Sequence, residues 1–388
     1  MDPVRNPYSP GAGSRPPALV GRGAELESFD ISLQRMGLGK SAKSMILTGL
    51  RGVGKTVLLN EFGLVAARHD WVHESLEVND DMDFSRAMGA LARKAVLRLS
   101  AGHRAGDRFK RALGVIKSFQ ITWDIPDGGS IEVEPFAGVG DSGVLEADLG
   151  ELLVEVGRLG SDRDRGALFT IDEMQYMSKD QLSTLVQAFH MVAQNRVPVM
   201  LAGAGLPSLL GLIGEARSYA ERLFDFPRID SLPFDAAAEA LEVPAGDEGV
   251  IWNAEAVDRT VALTGGYPYF LQEFGKQTWD VALGPDEIML TDVDEALPMA
   301  IAELDSGFFL VRINRTSDGE RQYLRAMARL GRGPYASSSV AAELDKTTRQ
   351  LGPVRDTLIK RGLCYSPRWG EIDFTVPMFD EFVRRTMP

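Results

Sequence analysis

Residues 49–56, Gly49-Leu50-Arg51-Gly52-Val53-Gly54-Lys55-Thr56, complete the pattern G-x-x-x-x-G-K-[ST]. The strand-like run Met45-Ile46-Leu47-Thr48 precedes it, and the helix-like run Val57-Leu58-Leu59-Asn60-Glu61-Phe62 follows. A chain with this pattern in this context is committed locally to strand, tight loop and helix. Glycines let the backbone fold around a phosphate with its N–H groups pointing inward, and the helix N-terminus adds positive potential. Nucleotide contacts are expected from Gly49, Arg51, Gly52, Val53, Gly54, Lys55, Thr56 and Val57. Lys55 is the residue to reach the β- and γ-oxygens, and the Thr56 hydroxyl the one to coordinate Mg2+.

A second motif is Leu168-Phe169-Thr170-Ile171-Asp172-Glu173, whose Asp172 lies 117 positions after Lys55. It reads as a buried strand ending in two carboxylates, which at a strand's C-terminal end can face the phosphate loop. Asp172 is then the Mg2+ ligand. Glu173 is the group that orients and deprotonates an attacking water.

Composition narrows the class. A hydrophobic fraction of 44% and a charged fraction of 25% are those of a globular protein, and 388 residues call for two or three domains. One cysteine, Cys364, excludes a disulfide framework and fits a reducing cytoplasm. The four histidines show no zinc-ligand spacing. The N-terminus has no apolar signal-peptide core. The uncharged run from Val197 to Gly214 is broken by Pro198, Pro207 and four glycines, so it reads as a strand plus a helix and no membrane partner is expected.

Along the chain, residues 1–17 are rich in proline and read as a flexible leader. Residues 18–231 alternate short apolar strands (44–48, 71–78, 167–171, 197–202 and 223–226) with helical periods, the pattern of an α/β nucleotide-binding core with a parallel sheet between helices. Phe119, Ile121, Trp123 and Ile125 alternate with polar residues before Asp127-Gly128-Gly129, and Ile131 and Val133 alternate after it. A β-hairpin inserted at about 118–143 is expected, either facing a protein or packed on its own domain. Residues 232–313 read as a helical lid. Residues 314–388 read as three helices and two strands about a Trp369-Gly370 turn, a winged helix-turn-helix.

The two motifs and their surroundings resemble the AAA+ branch of P-loop ATPases, and more closely its origin-recognition-type and STAND-type members. The resemblance covers residues 18–388 and implies an ATPase that turns ATP into ADP and phosphate, with Mg2+. Leu19-Val20-Gly21-Arg22 is similar to the box that leads into the adenine pocket, which implicates Val20, Gly21 and Arg22. Thr264-Gly265-Gly266-Tyr267-Pro268 is similar to the Gly-x-Pro motif of STAND ATPases, whose proline side approaches the nucleotide and here implicates Pro268.

The chain departs from these families in two places. Strand 197–202 runs into Ala202-Gly203-Ala204-Gly205, where relatives place a polar sensor, and Tyr267 replaces a γ-phosphate-sensing arginine. Both point to a slow switch. The resemblance also implies a trans-acting arginine finger in the segment 215–224, which offers Arg217 and Arg222. Arg222 is favoured, the alternative being a salt bridge to Glu221 or Asp225. With a finger, hydrolysis needs a neighbouring copy of the chain. Gly138-Val139-Gly140-Asp141-Ser142-Gly143 matches a dinucleotide-binding pattern, but the half-polar run before it does not suit that fold.

Net charge is −13, yet residues 318–388 carry 12 Lys/Arg against 9 Asp/Glu, a balance of +3 that leaves −16 for the rest. Arg349, Arg355, Lys360 and Arg361 lie on the third of these helices, which Gly352-Pro353 interrupts near its start. Gln350 is a candidate reader of base edges, and Arg368 sits at the wing tip. Two readings follow. One is an ATP-driven switch whose winged helix contacts duplex DNA. The other is a STAND-like signalling or scaffold module that contacts proteins only.

Overall fold

The computed structural model of the protein describes residues 1–11, 13, 15–100, 106–125 and 133–387. The chain divides into two compact units, one of residues 23–48 and 55–228, the other of residues 1–22, 49–54 and 229–388.

The first unit contains α1 (Gly23–Gly37), β1 (Ser44–Gly49, whose last residue opens the loop), α2 (Lys55–Arg68), β2 (Val72–Glu77), α3 (Phe84–Leu99), α4 (Asp107–Thr122) and α5 (Leu145–Ser161). It continues with β3 (Ala167–Asp172), α6 (Lys179–Asn195), β4 (Val199–Gly205), α7 (Leu209–Ala216), α8 (Ala220–Leu223), β5 (Phe224–Asp225) and β6 (Arg228–Ile229). The sheet runs β2-β3-β4-β1-β5, with β6 also paired to β1. β1 and β4 are buried along their whole length because both faces are covered, so they read as continuous apolar runs. Phe169 and Ile171 enter the core built with α3, α5 and α6. On the other face Gly63 of α2 meets His73 of β2, so closely that a Cβ would lie 2.3 Å from Nδ1. The parallel register sets Thr48 beside Gly205 and Ile171 beside Gly203, which brings the carboxyl ends of β1, β4 and β3 to one edge. That edge is where an open α/β sheet binds ligands.

One expectation fails here. Residues 119–122, read as the first strand of a hairpin, close α4 instead. Phe109, Ala112, Leu113, Ile116 and Phe119 recur at helical spacing and are buried, while Ile121 is exposed. Sixteen residues of period 3.6 outweigh a short period-2 alternation. The expected turn and Ile131 lie outside the described residues, and Val133 is not in a strand.

The second unit carries α9 (Phe234–Asp247), β7 (Ile251–Trp252), α10 (Ala254–Thr264), α11 (Pro268–Val281), β8 (Glu287–Ile288) and α12 (Leu290–Glu303). A π-helical turn, Leu304–Phe309, leads through α13 (Leu310–Ile313) to α14 (Asp318–Arg329), β9 (Tyr335–Ala336), α15 (Ser337–Glu343), α16 (Thr348–Lys360), β10 (Cys364–Tyr365), β11 (Glu371–Phe374) and α17 (Phe379–Thr386). Strands β10-β11-β9 form an antiparallel sheet, with Cys364 opposite Phe374 and Ile372 opposite Tyr335. α16 runs through Pro353 without a break and starts from a capping box between Thr347 and Gln350.

The first ten residues are docked rather than loose. Asp2 caps a 3-10 turn, Arg5 pairs with Glu248 at 2.8 Å, and Asn6 donates to Lys276 O at 3.0 Å. Tyr8, 3% exposed, donates its hydroxyl hydrogen to Leu241 O and accepts from Trp252 Nε1 at 2.7 Å. Buried Tyr8 and these polar contacts thus fix a proline-rich segment that composition alone marks as flexible.

Candidate functional site

Three close approaches shape the phosphate loop. A Cβ on Gly49 would lie 2.2 Å from Ile229 O, so only glycine lets the strand end pass that carbonyl. Gly52 and Gly54 hold φ of 81° and 93°, the left-handed region that other residues avoid. Gly52 also backs onto the Tyr267 ring, where a Cβ would meet Cε1 at 2.9 Å. Arg22, 8% exposed, donates through Nη2 to Val53 O at 3.0 Å and to Asp230 O at 2.6 Å. The preceding Gly21, φ 65°, lies against Ala236 and Leu232 at the start of α9. Val20 packs half-buried on the same helical core. Pro268 occupies the first turn of α11, next to the buried Tyr267. The structure therefore gathers Val20–Arg22, the loop and the Tyr267-Pro268 corner within one unit.

Lys55 and Thr56 open α2, Lys55 buried and Thr56 exposed. The Thr56 hydroxyl donates to Asp172 Oδ2 at 2.5 Å. Burial holds the Asp172 carboxyl above the usual carboxylate range, against the lowering effect of the Thr56 hydroxyl, the Glu173 N–H and Lys55. Glu173 N donates to Asp172 Oδ1 at 2.7 Å. Glu173 itself sits at φ 55°, ψ 35°, where the chain leaves β3 for the 3-10 turn Met174–Tyr176. A non-glycine residue in that region is strained by about 1–3 kcal/mol and persists where its surroundings impose it. Lys55, Thr56, Asp172 and Glu173 are thus brought together as their spacing predicts. Sequence reading missed Gln175, whose side-chain amide donates to Glu173 Oε2. Its only sequence signal is an amide two positions beyond a carboxylate pair.

The two arginine candidates separate. Arg217 is tied within its unit, to Glu146 at 2.9 Å and Gln187 at 2.8 Å. Arg222 is exposed, and its side chain has no hydrogen bond or ion pair among the described residues. The anticipated partner Asp225 pairs with Lys43 instead, at 3.2 Å.

The glycine-rich stretch 138–143 is filled from within. The N–H groups of Gly138, Ser142 and Gly143 donate to Asp141 at 2.8 Å and to Asp148 at 2.8 and 3.1 Å, and that of Gly140 donates to Glu151. Carboxylates already occupy the donors that a phosphate would need.

In residues 318–388 the basic residues divide as well. Arg355 donates to Ser366 Oγ at 3.1 Å and to Glu371 O at 3.4 Å, and Arg361 pairs with Glu320 at 3.1 Å. Gln350 spends its carbonyl oxygen on the Thr347 cap. Arg349, Lys360 and Arg368 are exposed, and Trp369, beside Arg368, is 100% exposed. No described helix is long and apolar enough to cross a membrane.

Residues 18–201 match the family model of the AAA ATPase domain, and residues 306–383 match a family described as a domain of unknown function. No curated protein matches the chain. Among solved structures, the Walker-type ATPase PABY2304 of Pyrococcus abyssi is similar over 95% of this chain and 97% of its own, at 17% identity and a TM-score of 0.56. Two others align with lower scores. The Aeropyrum pernix ORC1 protein in complex with DNA covers 95% of this chain and 93% of its own, at 16% identity and a TM-score of 0.45. The Thermotoga maritima RuvB Holliday junction branch migration motor covers 91% and 92%, at 15% identity and 0.48. Residues 18–201 are therefore similar to the AAA ATPase domain, and the loop at 49–56 lies within the matched segment.

Proposed function

We propose that this protein is an ATP-dependent conformational switch that hydrolyses ATP slowly in the presence of Mg2+. The observation that carries the reading is the Thr56–Asp172 contact of 2.5 Å, with Lys55 and Glu173 on either side. Thr56 and Asp172 fit a cation: one is an exposed hydroxyl, the other a desolvated carboxyl whose charge nothing nearby fully offsets. Mg2+ bound there would offset the charge on the terminal phosphates. Lys55 binds the β- and γ-oxygens, the loop N–H groups hold the β-phosphate, and Glu173 orients a water and takes its proton. Val20, Gly21, Arg22 and Pro268 border the nucleotide, and Arg222 serves the site of a neighbouring copy. Slow turnover is supported by the apolar end of β4 and by Tyr267 at the motif position where the resembling families carry a sensing arginine. The lone Cys364, buried, fits a reducing cytoplasm.

The order helix, strand, two helices, two strands over residues 318–374 supports a winged helix. Exposed Arg349, Lys360 and Arg368 support contact with duplex DNA. The STAND-like, protein-only alternative draws on the internal engagement of Arg355, Arg361 and Gln350, which leaves a smaller basic surface.

The test is ATP binding and turnover with and without duplex DNA at low salt, for wild type, Lys55→Ala, Glu173→Gln and Arg349→Ala/Arg368→Ala. Lys55→Ala is expected to lose nucleotide binding and Glu173→Gln to keep it while losing turnover. Unchanged ATP affinity in Lys55→Ala refutes the site. DNA binding that weakens with salt and in the arginine variant supports the DNA reading, and its absence favours the protein-only one.

A further inference from the structure

Sequence reading leaves β4 without a polar group at its end, since Ala202-Gly203-Ala204-Gly205 offers none. The small residues have a use. A Cβ on Gly203 would lie 2.3 Å from Met174 Sδ, and one on Gly205 would lie 3.0 Å from Gln175 Oε1 and 2.6 Å from Leu209 Cδ2. The glycines make room for the turn that follows β3 to settle on the end of β4. With the turn seated, Gln175 Oε1 accepts from Leu206 N at 3.0 Å while its amide nitrogen donates to Glu173 Oε2. The orientation of the amide is fixed at both ends, because a backbone N–H demands the oxygen and a carboxylate demands the NH2.

We propose that Gln175 is a positioning residue for hydrolysis. It transmits the rigidity of β4 to Glu173 and supplies the polar group that β4 lacks. The inference rests on the reading of Glu173 as the base. In the step it serves, a water oxygen bonds to the γ-phosphorus as its proton passes to the Glu173 carboxylate. The bond to the β–γ bridging oxygen breaks, and that oxygen leaves with ADP. Gln175 exchanges no proton. It holds one carboxylate oxygen so that the left-handed backbone at Glu173 delivers the side chain in a single orientation.

The experiment compares kcat and KM for ATP in wild type, Gln175→Ala, Gln175→Glu, Glu173→Gln and the double variant Glu173→Gln/Gln175→Ala, with melting temperatures alongside. Gln175→Glu keeps the size and the acceptor for Leu206 N but removes the donor to Glu173. The expected result is a fall in kcat of roughly 10- to 100-fold in both Gln175 variants, with KM within about twofold. The double variant is expected to be no slower than Glu173→Gln alone, because the two residues act as one unit. If Gln175→Glu keeps wild-type kcat, Gln175 only anchors the turn and the inference is overturned. If the double variant loses a further tenfold, Gln175 acts apart from Glu173 and the inference is also overturned. If Glu173→Gln itself retains turnover, the assignment of the base has failed, an outcome separate from either.

Discussion

The contact between the phosphate loop and Tyr267 can be weighed by adding one methyl group. Gly52→Ala places a Cβ 2.9 Å from Tyr267 Cε1 and 3.4 Å from Tyr269 Cβ, at φ 81°. Two costs combine. An alanine in the left-handed region costs about 1–2 kcal/mol, offset by about 0.4–1 kcal/mol from a less flexible unfolded chain. Carbon atoms pack at about 3.5–4.0 Å, so the ring must retreat by about 0.6–1.1 Å, an overpacking worth about 1–3 kcal/mol. Gly54 supplies the internal control, since it has φ 93° and nothing within 4 Å of its added Cβ. Gly54→Ala carries the conformational cost alone, and Gly52→Ala exceeds it by about 1–3 kcal/mol. Urea unfolding of the nucleotide-free protein, followed by the fluorescence of buried Trp252 and Trp279, measures the difference. In a Tyr267→Ala background the excess disappears. Equal losses in the two glycine variants would refute the packing of Tyr267 on the loop.

Three further outcomes are expected. Burial raises the Asp172 pKa in the folded state, so its contribution to stability is fully present below the unfolded pKa and lost as pH rises through the folded value. Asp172→Asn therefore melts higher than wild type at pH 7 without nucleotide and loses that advantage near pH 3, and a lower melting temperature at pH 7 would refute the assignment. Tyr267→Phe removes a buried hydroxyl with no hydrogen-bond partner among the described residues, so stability stays level or rises by about 1 kcal/mol; a loss above 1 kcal/mol would mean that the hydroxyl is bonded. Arg222→Ala subunits mixed with Glu173→Gln subunits regain turnover if the arginine acts in trans, and mixtures as inactive as either parent count against it.

Much of this site is legible from the chain because its parts are local. The loop, β1 and the start of α2 form one contiguous stretch, and Asp172 and Glu173 end a strand whose apolar run announces itself. The helix that ends at Thr122 was misread because four alternating residues mimic a strand once the preceding turns of apolar spacing are ignored. Tyr8 was hidden by its prolines: its socket, Trp252 and Leu241, is more than two hundred residues away. Gln175 is fixed by a hydrogen bond from Leu206 N, a backbone group of a distant segment. Such partners leave no trace in residue identity.

The position of β1 has a consequence for how the protein fails. β4 holds β1 through four residue pairs, Met45 with Ala202 to Thr48 with Gly205, whereas β5 holds it through two, Ser44 with Phe224 and Met45 with Asp225. Amide protons on the β3-β4-β1 side should exchange last and those of β5 early, since short edge segments open at little cost. Arg222 lies just before that edge, while Lys55, Thr56 and Asp172 hang from the protected centre. Warming would then detach the arginine first. If Arg222 serves hydrolysis as proposed, turnover would then be lost before nucleotide binding, and a heat-inactivated sample would be a full site with a frayed rim.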